Sequence, residues 1–517
     1  MSAKTRYDVL SSDRSQYLNI AKQASELTIP YLVREDDNST GVNKLVTPWQ
    51  SVGAKGVVTL AAKLMLSLLP PQTSFFKLQV DESKLGEYGP QIKSELDLAF
   101  AKVERTILES IAASDDRVVV HQAMKHLVVS GNALIFMGKE GLKLFPLNRY
   151  VIDRDGNGNV IEIVTKESIN KKVIEELVPD LMKGEVTEYN DDDRHDCDVY
   201  THVTVKNNRV SWHQEVYDKI IPKSVSKSPV NITPWLPLRF NTVDGEAYGR
   251  GRVEEFMGDL KSLEALSQAL VEGSAAAAKV VFTVSPSAST KPATLAAAGN
   301  GAIIQGRPED VGVIQVGKGA DFQTAYQAAG TLEKRLSEAF LILSVRQSER
   351  TTAEEVRMTQ MELEQQLGGL FSLLTVEFLV PYLDRKLNVL QKNKIIPPIP
   401  KDVVKPTIVA GINALGRGQD RESLGMFLQT IAQTMGPESI AQFINPDEVI
   451  KRLAAASGID VLNLVKSMQE IQGEQQQQMQ QQMAMQEQQN APAMAAVDQK
   501  QMQAEMQMAM QAQQPPQ

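Results

Sequence analysis

Between Asp321 and Gln366 two strongly patterned helices are joined by a connector that contains neither glycine nor proline. The first, AYQAAGTLEKRLSEAFLI, places Ala325, Leu332, Leu336 and Phe340 on one apolar stripe. The second, TAEEVRMTQMELEQQL, opens with Thr351 or Thr352 as N-cap and carries Glu354 and Glu355 in its first turn. In the connector, the apolar anchor Val345 is followed by Arg346, Gln347, Ser348, Glu349 and Arg350. A link that needs no special backbone yet carries two cations reads as a loop presented to something anionic. The plainer alternative is a solvated turn with ordinary charges.

Upstream, residues 1–28 read as a helix, followed by irregular chain through Pro30 and the polar run EDDNSTG. An amphipathic helix over 49–69 is stopped by Pro70 and Pro71. Helices are predicted over 90–112 and 116–129, the latter ended by Ser130-Gly131-Asn132. The period then changes to two, and strands are predicted over 133–137, 142–145, 150–153, 159–165, 198–205, 210–216 and 236–240. Residues 1–245 therefore read as an α+β domain, left at Asp244-Gly245.

Residues 251–279 read as one helix of about 28 residues, roughly 40 Å long. Residues 280–322 hold apolar positions (Val281 and Thr283, Ile303 and Ile304, Val313, Ile314 and Val316) between Pro- and Gly-rich turns. That is a β-rich insert of about 40 residues, too small to be a self-sufficient core. Beyond Gln366 the second helix is expected to run toward Gln391 with bends at Gly368-Gly369 and Pro381. A Pro-rich extended connector over 394–406 leads to helical sequence over 418–471, broken at Gly436-Pro437, Asn445-Pro446 and Gly458. From Gly473 the chain is mostly Gln, Met and Ala, a low-complexity tail expected to be disordered, although partners can order such helix formers.

At 517 residues and 42% apolar the chain has room for roughly three or four domain-sized units. Its net charge of -9 disfavours a static nucleic-acid clamp, which is usually basic. The single cysteine, Cys197, excludes an internal disulfide and fits a reducing compartment. No signal peptide opens the sequence, and the longest apolar run, residues 56–69, is interrupted by Lys63; a soluble protein made inside a cell is expected.

Several patterns imitate chemistry. Asp153, Asp155, Asn157 and Gly158 match the start of a calcium loop, but Val164 stands where the bidentate Glu belongs, and flanking strands make DGNG a hairpin turn. Gly312 to Lys318 has Walker-A spacing, yet Gly319 replaces the hydroxyl residue that would hold magnesium and the middle residues favour a strand. The acidic run Asp191, Asp192, Asp193, His195, Asp196, Cys197 and Asp198 reads as a charged surface loop rather than a metal site. His121, His126, His195, His202 and His213 accompany no nucleophile motif. Adjacent Glu354 and Glu355 point apart on a helix. No catalytic residue, metal or cofactor is expected.

In order along the chain stand TPWQSVGAKGVVTLAAKLMLSLLPPQT (47–73), LVVSGNALIF (127–136), DGEAYGRGRVEEFMGDLKSLE (244–264), GRPEDVGVIQ (306–315), ERTTAEEVR (349–357), ELEQQLGG (362–369) and ALGRGQD (414–420). These stretches resemble the portal proteins, or head-to-tail connectors, of short-tailed bacteriophages, over about four-fifths of the chain. The resemblance implies an α+β, mostly helical subunit that assembles in a ring, usually of twelve. It implies a wing over 1–245 and a first stem helix over 246–279. A clip over 280–322 and a second stem helix over 323–344 would follow, then a tunnel loop over 345–351. A long bent wing helix and linker over 352–400, a helical crown over 401–472, and a disordered or barrel-helix tail over 473–517 complete the expectation.

By the same resemblance, Arg346, Gln347, Ser348, Glu349 and Arg350 line a DNA channel, and Arg307, Glu309, Asp310 and Lys318 of the clip dock the packaging motor and later the tail adaptor. The implied partners are further copies of the chain, double-stranded DNA, the major capsid and scaffolding proteins, the large terminase ATPase, a tail adaptor and internal core proteins. The implied place is the capsid vertex of a virion, after synthesis in the host cytoplasm. The implied role is structural and non-catalytic. The competing readings are an NTPase or nuclease subunit of a packaging machine, and a scaffold-like assembly protein.

Overall fold

A computed structural model describes residues 1–34, 46–71, 75–80, 90–139, 141–170, 172–174, 196–277, 281–299, 301–314, 319–342, 365–367, 369–397, 406–410, 416–436, 444, 449–450, 453, 501–506 and 508. The chain divides into two compact units, residues 1–86 with 103–416, and residues 87–102 with 417–517.

The first unit opens with α1 (Ala3–Glu26), N-capped by the Ser2 hydroxyl, which accepts from the Thr5 amide. Its buried Ala3, Tyr7, Leu10, Arg14, Tyr17, Ala21 and Ala24 recur every three or four residues. α2 (Val52–Leu68) ends before Pro70 and Pro71 as the sequence predicts, and β1 (Phe76–Val80) follows. α3 (Pro90–Ala112) and α4 (Asp116–Ser130) match their predicted spans closely. Gly131, at φ +74°, closes α4 by donating its amide to the Leu127 carbonyl.

Strands β2 (Asn132–Met137), β3 (Leu142–Phe145), β4 (Tyr150–Arg154), β5 (Val160–Asn170), β6 (Asp196–Lys206), β7 (Arg209–Val216), β8 (Lys219–Ile220), β9 (Ser226–Pro229) and β10 (Trp235–Arg239) come next. β4-β5-β6-β7-β8 run side by side with β9 also on β7, and β10-β2-β3 make a second sheet. The pairings within both sheets are antiparallel. Alternation along the strands divides the larger sheet between two cores. Ile152, Ile163 and Val203 face a core with Tyr17, Ala21, Phe145, Trp235 and Tyr248. Val151, Val164 and Tyr200 face the opposite way, onto Ala3, Tyr7 and Leu10. α1 thus supplies both cores. Between them sits Arg14, only 5% exposed, whose Nη1 lies within hydrogen-bond distance of Tyr7 Oη and the carbonyls of Leu147, Asn148 and Tyr150.

Beyond β10 the structure departs from the sequence reading in three places. The single helix expected over 251–279 is a turn, α5 (Arg252–Glu255), followed by α6 (Met257–Ala277). The break is at Phe256, which leaves the helical region to pack its ring under the Arg252 guanidinium and 6.0 Å from the Phe340 ring. Among the described residues of the insert, β11 (Val281–Val284) and β12 (Val311–Ile314) alone pair. A short helix, α7 (Pro292–Ala297), lies between them in sequence; Ile303 and Ile304 are in no strand, and Ile303 is fully exposed. The next helix, α8 (Gly319–Ala339), starts and stops before the expected 323–344, and Phe340 and Leu341 turn inward beyond its end instead of extending it.

The irregularity expected near Pro381 is a π turn over Thr375–Leu379 between α9 (Leu370–Leu374) and α10 (Val380–Lys392). Proline offers no amide and its ring crowds the preceding turn, and the wider turn accommodates both. The π turn also delivers Glu377 to Arg239 of β10, which donates to it from Nε at 2.9 Å and Nη2 at 2.6 Å. β13 (Pro406–Ala410) pairs antiparallel with β1. In the second unit, Gly436 at φ +86° follows α11 (Gly416–Met435), and Met426, Phe427 and Met435 are exposed. Of the tail expected to be disordered or a barrel helix, residues 501–506 and 508 are described and are helical.

Three buried tyrosines set a pH limit on the first unit. Burial holds the Tyr150 and Tyr248 hydroxyls far above their ordinary range, and burial together with Asp116 does the same for Tyr382. An unfolded tyrosine ionises near pH 10 while these stay protonated, so the stability they contribute is complete below that pH and is lost as pH rises above it. The loss is expected to approach about 1.4 kcal/mol per pH unit for each tyrosine. Urea midpoints between pH 9 and 11.5 test this; a flat profile contradicts it.

Candidate functional site

Arg346, Gln347, Ser348, Glu349 and Arg350, like Lys318, lie outside the described residues. The structure does describe the anchorage just before the connector. Phe340 is wholly buried, and a Cβ on Gly56 of α2 would sit 2.6 Å from its ring. Leu341, 3% exposed, adopts φ +57° and donates its amide to the Glu338 carbonyl. A bulky residue in the left-handed region costs about 1–2 kcal/mol, offset here by burying its side chain. Arg252 Nη2 donates to the Ala339 carbonyl at 3.2 Å, placing a cation at the carboxyl end of α8.

α6 is pinned in turn. The Glu264 carboxylate accepts the Trp49 and Gln50 amides at 2.8 and 3.3 Å, and the Gln50 side chain spans the Gly53 amide and the Leu27 carbonyl. Asp259 of α6 pairs with Arg335 of α8 at 3.3 Å. The two helices that flank the insert are thus held at their base by α2 and by each other.

The start of α5 is fixed by a backbone crossing. Asn132 donates to the Gly249 carbonyl and accepts the Gly249 amide, both at 2.8 Å. Gly131, Gly249 and Gly251 press together so closely that a Cβ on any of them would lie 2.4–2.6 Å from backbone of the facing segment. The stretches SGN and YGRGR, far apart in sequence, are one structural joint.

In the insert, Arg307 and Glu309 are exposed and Asp310 is half-exposed. Its Oδ2 accepts from the Ser289 amide at 3.0 Å, the Ser289 hydroxyl at 2.9 Å and the Thr290 hydroxyl at 3.4 Å. Hydrogen bonds from the Ser289 hydroxyl first, then from the amides of Arg307, Ser289 and Thr290, hold its carboxyl below the usual range. Asp310 therefore organises the loop after β11. Large apolar side chains stand exposed on the insert and the helices beside it: Phe282 at 57%, Ile303 at 102%, Tyr326 at 73% and Val271 at 52%.

Some of the imitations of chemistry resolve in the described residues, while Asp191, Asp192, Asp193, His195, Glu354 and Glu355 lie outside them. Asp155 accepts the amides of Asn157 and Asn159 and the Asn159 side chain, forming the turn between β4 and β5. The described part of the Walker-like run, Gly312 to Ile314, belongs to strand β12. His202 and His213 are engaged by Glu162 and Glu215, and burial lowers the His126 imidazole to about 4, so it is neutral at physiological pH. Among the described residues no three His, Cys, Asp or Glu side chains converge on a metal position.

Residues 1–465 match the family described as "Bacteriophage head to tail connecting protein". The chain is 38% identical over 475 residues to the portal protein of Enterobacteria phage T3, covering 90% of this chain and 88% of that one. It is 36% identical over 482 residues to the portal protein of Escherichia phage T7, covering 91% and 89%. To the portal protein of Enterobacteria phage SP6 it is 30% identical over 484 residues, covering 90% of each. A chain from the neck of an empty GTA particle aligns over 80% of this chain and 90% of that chain at 12% identity, with a TM-score of 0.35 too low to bear on the argument. The three well-covered relatives and the nearly full-length family match agree with the seven stretches met in the sequence: the chain belongs to the head-to-tail connecting, or portal, proteins of short-tailed bacteriophages.

Proposed function

We propose that copies of this chain close into a ring, of about twelve by analogy with the family, whose axial hole passes double-stranded DNA during packaging and ejection. The observation that carries the reading is the fixed base of α6 and α8, which delivers the connector from a rigid point at Phe340. The exposed Phe282, Ile303, Tyr326 and Val271 fit surfaces that neighbouring copies cover. In this reading residues 1–245 with 352–400 form the wing, 246–279 and 323–344 the stem, 280–322 the clip and 401–472 the crown. Native mass spectrometry with negative-stain imaging tests it: a closed ring with a duplex-wide hole is expected. A small closed oligomer without a channel would refute it.

A passage must let the duplex slide, so tight phosphate contacts would brake it. A ring of acidic chains suits that need, with Arg346 and Arg350 as isolated cationic rings touching phosphates transiently. Replacing both by Ala is expected to impair DNA packaging or retention in assembled particles; unchanged yields would remove the two arginines from the mechanism. In the same reading Arg307, Glu309, Asp310 and Lys318 of the clip form the docking surface for the large terminase ATPase and then the tail adaptor. A chain with residues 306–314 scrambled that still bound both partners would exclude this. The capsid and scaffolding proteins and internal core proteins complete the proposed surroundings, and the chain is made in the host cytoplasm before assembly. The role is structural, with hydrolysis left to the motor.

A further inference from the structure

One corner of the six-stranded sheet carries charge that the unit itself does not use. β6 and β7 are joined by Asn207-Asn208 at φ 50° and 60°, a two-residue turn whose twist suits a hairpin. The turn restricts its own two residues and leaves the flanking pair free. Yet Lys206 and Arg209 stand there directly opposite each other. Lys227 of β9 lies opposite Ser211, one diagonal step from Arg209 and on the same face. All three cations are exposed, and among the described residues none of them is in an ion pair.

Like charges directly across a ladder destabilise a sheet. The nearest carboxylates on this face are already occupied: Glu162 by Arg6 and His202, and Glu215 by the Ala3 amide and His213. The corner therefore holds cations at a cost to the fold and without an internal partner, on a chain of net charge -9.

We propose that this corner grips the phosphate backbone of double-stranded DNA outside any channel, without reading sequence. Cross-strand and diagonal spacing puts the Cβ atoms of Lys206 and Arg209, and of Arg209 and Lys227, about 5 to 8 Å apart, and their long side chains can reach successive phosphates. The Thr204 and Ser211 hydroxyls, 3.0 Å apart on the same face, add neutral donors of the kind that position phosphates. Screening over about 8–10 Å shields the corner from most of the chain's negative charge. An acidic protein segment would share the charge chemistry. However, stable protein docking usually needs a buried apolar anchor, and the exposed Tyr217 and Ile220 lie at the opposite end of β7. The choice of DNA rests on the connector reading, which brings the chain next to a packaged genome.

The test uses the intact chain and closed circular duplex DNA, which cannot thread a ring. Binding is measured between 50 and 200 mM salt for the wild type, for Lys206→Gln/Arg209→Gln/Lys227→Gln, and for the control Lys55→Gln/Lys139→Gln. The triple variant is expected to lose at least tenfold in affinity at 50 mM salt, and its log–log salt slope should flatten by about 2–3, near 0.9 per phosphate. The control should match the wild type. An unchanged thermal midpoint, or one raised by removing the like-charge pair, verifies that the triple variant is folded. Equal DNA binding by wild type and triple variant overturns the proposal. So does poly-glutamate binding that matches DNA binding in strength and is lost in parallel, which would assign the corner to an acidic protein. Native mass spectra of the same samples report the ring separately, so failure of the ring and failure of the corner are told apart.

Discussion

Replacing Gly131 by alanine is expected to cost the first unit about 2–5 kcal/mol. Alanine at φ +74° costs about 1–2 kcal/mol for its backbone conformation alone. Its Cβ would also lie 2.4 Å from the Arg250 carbonyl carbon, a clash with backbone that no rotamer relieves. Overpacking of that kind adds roughly 1–3 kcal/mol. Moving Arg250 away would loosen the Asn132 bonds to Gly249 and disturb the entry to α5 and α6. The midpoint of urea unfolding, followed by tryptophan fluorescence, measures the loss, with Trp235 buried in the adjoining core. A variant within 1 kcal/mol of wild type would show that the crossing is slack.

Asp116→Ala is expected to have a comparable effect through charge rather than sterics. Asp116, 3% exposed, accepts the Tyr382 hydroxyl at 2.6 Å and the Lys386 ammonium at 2.9 Å on one oxygen. It also stands in the first turn of α4, where a carboxylate complements the helix dipole. Removing it strands a largely buried ammonium and a buried hydroxyl, a loss of about 3–5 kcal/mol. Asp116→Ala/Lys386→Met removes both charges and should recover more than half of that loss. Failure of the double variant to recover stability would mean that the stranded ammonium is not the origin of the cost.

How far these features could be foreseen depended on the range of the interaction behind them. Helices α1 to α4 and the longer strands followed from side-chain period and from local stops such as Pro70 and Gly131. Gly131 was legible as a helix stop, but its contact with Gly249 and Gly251 belongs to a pairing no local pattern records. β1 and β13 escaped notice for the same reason, since each is short and finds its partner far along the chain. The break at Phe256 arises from Arg252 and Phe340 packing on it. At the insert, the resemblance placed Asp310 in the docking set, but the hydrogen bonds that tie it to Ser289 and Thr290 join positions about twenty residues apart that no local pattern links. The cations of the sheet corner were passed over because only strand pairing brings Lys227 beside Arg209.

The double duty of α1 has a consequence for synthesis. The helix caps one sheet face through Tyr7 and Leu10 and completes the other through Tyr17, and its first amide is held by Glu215, 212 residues later in the chain. At roughly 5–20 residues per second, a ribosome takes about 10–40 s to supply that carboxylate after the helix has emerged. Until β4 to β7 have emerged within that interval, Tyr7, Leu10 and Tyr17 have no completed sheet to cover them. The nascent chain therefore passes through a stage in which its earliest helix is a hydrophobic ligand awaiting its receptor, open to chaperones and to neighbouring chains on the same message.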